Sequence, residues 1–310
     1  MKLTEVAAAV ILRPDGSFLL GQRAADTFYP GYWEFPGGKV EAGETPHQAL
    51  VRELHEELEI DVLAATPWIV REHAYEHAHV RLHFFRVTQW EGELRDHVHA
   101  ALAWQRADAP TVASMLPANA PVLAALRLPD FYAVTHAWRI GIDAQLAALD
   151  AALARGLRLV QLREAALPEA ARESFIAAAV PRCQSRGAQV LVNGDARLAR
   201  AAGADGLHLP AAQLMALDRR PPFPLVAASC HDRAELEQAA RLGIDFAVLG
   251  PVAATASHPG QGGMGWEAFG RTIANCPLPV HAIGGLTPAD IAVAQAAGAQ
   301  GVAAIRAAWA

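Results

Sequence analysis

Between Phe131 and Ile305, eight short aliphatic runs alternate with Ala-rich segments. They are Phe131 to Thr135, Leu157 to Arg163, Val190 to Asn193, Gly206 to Leu209, Leu225 to Ser229, Phe246 to Gly250, Val280 to Ile283 and Gly301 to Ile305. Apolar runs of this length suit strands covered on both faces, and the Ala-rich segments suit the helices that cover them. Eight such units predict a TIM (β/α)8 barrel over residues 131–310, closing with an unusually short last helix. Residues 1–128 read differently. Glu5 to Leu12 and Ser17 to Leu20 are apolar strands joined by the turn Pro14-Asp15-Gly16; an acidic helix follows, then strands including Ala74 to Val87, then a helix after Pro121. A chain of 310 residues holds two such domains, each with its own core, and Leu128-Pro129-Asp130 reads as the linker.

Composition narrows the function. Apolar residues make up 53% of the chain, yet none of their runs approaches the ~20 residues that span a bilayer. Met1 to Glu5 does not resemble a signal peptide. Cys183, Cys230 and Cys276 are far apart and form no CxxC pair, so neither a disulfide framework nor a zinc site is expected, and a reducing cytoplasm fits. A formal charge of −6 offers no electrostatic footprint for a nucleic-acid backbone, which makes free nucleotides better partners than DNA.

The acidic helix carries the chemistry of the first domain. Thr45 before Pro46, with Gln48 three residues on, is a capping box with Pro at the first helical position. On the helix that follows, Val51, Leu54 and Leu58 share an apolar stripe, and Glu53, Glu56 and Glu57 fall at i, i+3 and i+4. Such a patch is either an ordinary solvated face or a cation site; hard oxygen ligands select Mg²⁺ or Mn²⁺. Arg52 and Glu56 are spaced to pair along the helix.

The stretch Gly38 to Ile60, GKVEAGETPHQALVRELHEELEI, resembles the Nudix box: Gly, five residues, Glu44, seven residues, Arg52-Glu53, an aliphatic, any residue, Glu56-Glu57, any residue, Gly and an aliphatic. Glu59 stands where the family has its late Gly. The resemblance implies an α/β/α sandwich and a metal-dependent hydrolase that cuts a nucleoside diphosphate linked to another group. It makes Glu53 the catalytic base, with Arg52 beside it, and places Glu53, Glu56, Glu57 and the Gly37 carbonyl on Mg²⁺. Because a side chain in the left-handed conformation costs about 1 kcal/mol, Glu59 leads us to expect a shifted helix end.

Arg23 to Asp26, Glu34-Phe35-Pro36-Gly37-Gly38, Trp90 to Glu93 and Pro117-Ala118-Asn119 are similar to the MutT branch, which removes oxidised guanine nucleotides. The similarity implies that Arg23 and Glu34, Phe35, Pro36 and Gly37 line the nucleotide pocket and that Asn119 recognises the base. Oxidation at C8 turns guanine N7 into a donor beside the O6 acceptor, and one Asn amide satisfies both. Asn119 is also a good N-cap for the helix starting near Pro121. Two positions depart from the branch: Ala103 replaces a metal-binding acid, for which Asp96, His97 and His99 of the same loop are the candidate substitutes, and Phe28 replaces a pocket His. His73, His77, His79 and His83 are expected to be surface or sheet-pairing residues, with His77 and His79 on one strand face, and no zinc is expected.

In the second domain the run YAVT, VQLRE, VNGD, ADGLHLP, SCH, VLGPV, AIGG and GVAAIR resembles the thiamine phosphate synthase and TenI group. Gly284 and Gly285 are expected to hold a phosphate through backbone N–H groups. Gln213 stands where a synthase carries a Mg²⁺-binding Asp, and the loop Ala256 to Trp266 lacks the synthase Lys, so TenI is the better resemblance. His231 matches the His with which one kind of TenI enzyme shifts a proton on a thiazole phosphate. It is alternatively part of a helix-capping loop before Asp232. The functional expectation is therefore a Mg²⁺-dependent 8-oxo-dGTP pyrophosphohydrolase with an attached barrel that takes a thiazole or thiamine phosphate. Its rivals are a Nudix enzyme acting on a thiamine-pathway diphosphate, and a barrel that binds without catalysis.

Overall fold

The computed structural model describes residues 2–254 and 262–309, which form two compact units, Met1–Arg127 and Leu128–Ala310. In the first, β1 (Leu3–Ile11), β2 (Phe18–Gln22) and β3 (Trp33–Glu34) precede α1 (Pro46–Leu58); β4 (Asp61–Ala74), β5 (His79–Glu91) and β6 (Ala101–Gln105) precede α2 (Ala120–Leu126). One sheet runs β1-β5-β4, with β1 parallel to β5, and the other runs β3-β2-β6. Alternation along β1 divides the core. Ala7, Ala9 and Ile11 pack with Leu50, Leu54 and Leu58 of α1, whereas Ala8 and Val10 pack on the opposite face with Val122 and Ala125 of α2. This is the expected α/β/α sandwich.

Two local expectations are corrected. Ala74 to Val87 is not one strand: β4 ends at Ala74, a turn closed by Tyr75 N–H to Ala78 O at 2.7 Å follows, and β5 begins at His79. His77 lies in that turn, where its ring stacks on Phe28 at 4.1 Å, so it shares no strand face with His79. The end of α1 is not shifted either. Glu59 itself takes the left-handed conformation, φ 54°, at the C-cap, and its carboxylate meets Arg95 at 3.1 Å and His97 at 2.8 Å. Those contacts offset a strain that Gly would not have.

In the second unit, β7 (Phe131–Val134), β8 (Leu159–Leu162), β9 (Gln189–Asn193), β10 (Gly206–Leu209), β11 (Leu225–Cys230), β12 (Phe246–Leu249), β13 (Val280–Ile283) and β14 (Gly301–Ala304) form a closed parallel barrel in which β14 returns to β7. The covering helices are α3 (Ala137–Ile140), α4 (Ile142–Ala154), α5 (Glu169–Ser185), α6 (Ala196–Ala201), α7 (Ala211–Met215), α8 (Arg233–Arg241), α9 (Gly265–Ile273) and α10 (Ile291–Ala296), and a single 3-10 turn, Arg306–Trp309, stands in the last place. Outward strand residues such as Val160, Val190 and Val226 pack under the helices, and inward ones such as Tyr132, Leu191 and Phe246 fill the bore. All three cysteines are buried and unpaired. Among the described residues no helix is long and apolar enough to cross a membrane.

Candidate active site

The local start of α1 follows from its residues. Thr45 accepts from the Gln48 N–H at 3.3 Å, and Gln48 accepts from the Thr45 N–H at 2.8 Å, so the helix enters at one angle and places its acids. Arg52 then acts as an organiser. Its guanidinium grips Glu44 with two bonds, of 2.8 and 3.0 Å, and reaches Glu53 at 2.9 Å and Glu56 at 3.3 Å. The two-pronged hydrogen bonding from Arg52 holds the Glu44 carboxyl down at about 2. The pairing of Arg52 with Glu56 is present, with Glu44 as the stronger partner.

Glu53 and Glu57 turn towards the loop that follows β3. The Gly37 N–H donates to Glu57 Oε2 at 3.0 Å. A Cβ on Gly38 would lie 2.2 Å from Glu53 Oε1, so only Gly leaves room for that carboxylate. Gly37 has φ +134° and lies against the Ala7 carbonyl, which excludes a side chain there as well. The neighbouring Pro36 and Gly38 carbonyls accept from Ala9 and Ala7, which fixes the loop to β1. Burial, opposed by the Gly37 N–H and reinforced by the charges of Glu53, Glu34 and Asp96, pushes the Glu57 carboxyl up to about 8.

Among the three candidates for the acid missing at Ala103, Asp96 is the one whose charge acts on Glu57. Asp96 accepts from the Val98 and His99 N–H groups, at 3.2 and 2.8 Å, and stands 3.1 Å from His99 Nδ1. The His99 ring covers Gly21, where a Cβ would be 2.2 Å from it. His97 turns the other way, to Glu59. Hard oxygen donors crowded in this way fit Mg²⁺ in kind. Among the described residues no three His, Cys, Asp or Glu side chains already stand together as a metal-holding group, and the side chain of Glu56, 59% exposed, points to Arg52.

Beside the acids lies a polar pocket edge. Arg23 binds both oxygens of Glu34, at 2.7 and 2.6 Å, and its Nε donates to Phe28 O. Burial raises the Glu34 carboxyl, against the pull of Arg23. Asn119 is buried, and its Nδ2 donates to the Trp33 carbonyl at 3.4 Å. Although Asn119 stands at the N-cap of α2, its side chain makes no capping bond. Phe35 packs inside the core against Phe18 and Phe84. Sequence reasoning missed Tyr75, whose hydroxyl bonds the Ala118 backbone and whose ring meets Tyr29 and His77; its aromatic neighbours in sequence are the only signal that marked it.

In the barrel, His231 follows β11 and is 62% exposed, with Nδ1 3.0 Å from Glu235 Oε2. Asp232 caps α8 through the Glu235 N–H at 3.0 Å. Both the exposed imidazole and the capping loop are therefore present. Gly284, φ +107°, and Gly285, φ +69°, lie against Pro251 and Ala254, where a Cβ would be 2.6 and 2.8 Å from backbone atoms. Cys230 is buried beneath, and burial drives its thiol far above the ordinary range. A cavity of about 360 Å³ opens beyond β8 and β9, lined among others by Glu164, Arg172, Asn193, Asp195 and Gln213. Gln213 donates to the Gly194 carbonyl at 2.9 Å and so braces that loop. The loop Ala256 to Trp266 lies partly outside the described residues.

Comparison with known proteins matches residues 2–126 to the family described as NUDIX domain and residues 131–308 to the family described as Thiamine monophosphate synthase. The CTP pyrophosphohydrolase of Escherichia coli (strain K12) is 41% identical over 125 residues, covering 40% of this chain and 92% of that protein. The 8-oxo-dGTP diphosphatase of Proteus vulgaris is 43% identical over 95 residues, 31% of this chain and 85% of that protein. The thiamine-phosphate synthase of Methanoculleus marisnigri is 41% identical over 162 residues, 50% of this chain and 76% of that protein.

Proposed function

Because the chain belongs to the Nudix family over its first unit and to the thiamine monophosphate synthase and TenI family over its second, we propose that this hydrolase is a Mg²⁺-dependent nucleoside triphosphate pyrophosphohydrolase. It takes oxidised guanine nucleotides, converting 8-oxo-dGTP to 8-oxo-dGMP and pyrophosphate. The observation that carries the reading is the crowding of Glu53 and Glu57 against the Gly37–Gly38 loop, where the Gly37 N–H donates to Glu57 at 3.0 Å and burial with the charges of Glu53, Glu34 and Asp96 raises the Glu57 carboxyl, a group whose ionised form a bound cation would favour. Glu53, Glu56, Glu57 and the Gly37 carbonyl are the residues that would hold Mg²⁺, with Asp96 in place of the acid absent at Ala103. Bound Mg²⁺ supplies charge neutralisation on the phosphate oxygens and a more acidic water. Glu53, steadied by Arg52, takes the proton of the attacking water; the new P–O bond replaces the one to the pyrophosphate leaving group. Glu56, which pairs with Arg52 at 3.3 Å, would turn to the cation when one is bound. Arg23, Glu34 and Pro36 shape the nucleotide pocket, with the Phe35 ring packed in the core behind it, and the buried Asn119 amide reads the base edge.

Pyrophosphate release from 8-oxo-dGTP, measured with and without Mg²⁺ in wild type and Glu57→Gln, tests this. Mg²⁺-dependent turnover lost in the variant is expected, whereas metal-independent turnover or an unaffected variant would overturn it. A relative named for CTP supports a second reading with a pyrimidine nucleotide, and the attached barrel supports one with a thiamine-pathway diphosphate. For the barrel we infer a phosphate-bearing thiazole or thiamine ligand, held by Gly284 and Gly285 with His231 as acid and base. The buried, unpaired cysteines support residence in a reducing cytoplasm.

A further inference from the structure

Residues 95–100 bridge the last turn of α1 to β2. The Arg95 and His97 N–H groups donate to the Leu58 and Glu57 carbonyls, both at 3.0 Å, and the Ala100 N–H donates to Gln22 O at 2.8 Å. The last carbonyls of a helix have no partner inside it, so a loop that supplies their donors is tied to that turn. Asp96 stands between the two tied residues, and its charge acts on Glu57.

The hydrogen bonds of the Asp96 carboxylate all fall on one oxygen. Oδ1 takes the Val98 N–H at 3.2 Å, the His99 N–H at 2.8 Å and His99 Nδ1 at 3.1 Å, while Oδ2 has no such partner among the described residues. An ionised carboxylate only accepts, so the ring contact requires a proton on His99 Nδ1. The two backbone donors would form in any turn of this kind; the third comes from a side chain only 4% exposed. That ring is backed by β2: a Cβ on Gly21 would lie 2.2 Å from its Cδ2 and 2.4 Å from its Nε2. Gly21 is in turn paired with Glu34 of β3, whose carboxyl feels the charge of His99. Turning the Asp96 carboxylate away would therefore break three bonds at once, one of them to a group that the sheet holds in place.

We propose that His99 is a positioning residue for divalent metal: by holding Asp96 Oδ1 it leaves Oδ2 as the oxygen with which Asp96 would join Glu57 at the cation. This rests on the Mg²⁺ reading above, with Asp96 standing in for the acid absent at Ala103. The substitution then takes two residues. An acid at position 103 would be oriented by β6 itself, whereas an acid on a loop needs a partner that fixes it, and orienting partners of this kind set metal affinity almost as strongly as the ligands do.

Mn²⁺ binding to the full, nucleotide-free chain, followed by electron paramagnetic resonance of the free ion, reads this without turnover. His99→Phe keeps a ring against Gly21 but removes the donor, and should weaken Mn²⁺ binding roughly 10- to 100-fold with Tm little changed; His99→Leu takes its place if the Phe ring does not fold. His99→Asn, which restores an N–H near the Nδ1 position, should bind within about 3-fold of wild type. Asp96→Asn should be as weak as its double variant with His99→Phe, because the ring acts only through Asp96. If Asp96→Asn weakens binding but His99→Phe does not, or if His99→Asn is as weak as His99→Phe, the role of His99 falls alone. If Asp96→Asn binds as wild type does, the assignment of Asp96 falls and His99 with it. Wild type that binds no Mn²⁺ overturns both together with the metal reading of the site.

Discussion

Gly38 and Glu53 occupy one another's space: a Cβ on residue 38 would lie 2.2 Å from Glu53 Oε1 and 2.3 Å from its carboxyl carbon. Gly38→Ala therefore moves the proposed base rather than the fold, because the obstacle is the far end of a flexible side chain. Steady-state assays should show kcat reduced on the order of 10²-fold, the usual effect of displacing a reacting group by about 1 Å, with Tm little changed. Gly37→Ala should behave oppositely. It meets the Ala7 backbone at a left-handed φ, so loss of Tm comes first.

Glu57 makes metal-free stability depend on pH with a definite sign. Its folded pKa of about 8 exceeds the ordinary carboxyl value of 4.5. Between those values the folded chain keeps a proton that the unfolded chain has lost, so stability falls as pH rises through the window. Cation binding favours the ionised form. Thermal melts should show a Mg²⁺-induced rise in Tm that grows with pH across this range. Glu57→Gln should flatten both trends.

Glu59→Gly should leave activity unchanged and stability within about 1 kcal/mol of wild type. Relief of left-handed strain gains about 1 kcal/mol, and loss of half-exposed pairs with Arg95 and His97 removes roughly 0 to 1 kcal/mol. Chemical denaturation measures the difference.

His231→Ala separates the two roles of its loop. If the imidazole moves a proton, thiazole phosphate tautomerisation falls by about 10²- to 10⁴-fold while ligand binding persists. Because Asp232 supplies the cap of α8, the variant should melt close to wild type. Wild type that binds but never turns over would make the barrel a binding module.

What the sequence made legible is what is local or periodic. The Thr45–Gln48 box announces α1 within four residues, and the spacing of Glu44, Arg52, Glu53, Glu56 and Glu57 carries the chemistry along one helix. Eight aliphatic runs at regular intervals imply the barrel, because each strand there is buried on both faces. Contacts across distant segments were not legible. Nothing near Gly21 announces His99, and the sequence leaves Asp96 as one of three candidates from its loop, where the fold brings its charge to Glu57. The turn at Tyr75 to Ala78 was hidden because its residues resemble the strands around it, and its aromatic packing on Phe28 and Tyr29 arises from another part of the chain. At Glu59 the family spacing correctly located the helix end, while the assumption that a side chain would move it did not hold.

Asn119 is the proposed selector, and its test is also the most direct test of the whole account. Pyrophosphate release with Mg²⁺ should be measured from 8-oxo-dGTP, dGTP, CTP and thiamine diphosphate side by side, in wild type and Asn119→Ala. The account predicts a strong preference of wild type for 8-oxo-dGTP over dGTP, reduced roughly 5- to 150-fold in the variant as a buried hydrogen bond is lost. Turnover confined to CTP or to thiamine diphosphate, or a preference that Asn119→Ala leaves intact, would contradict it.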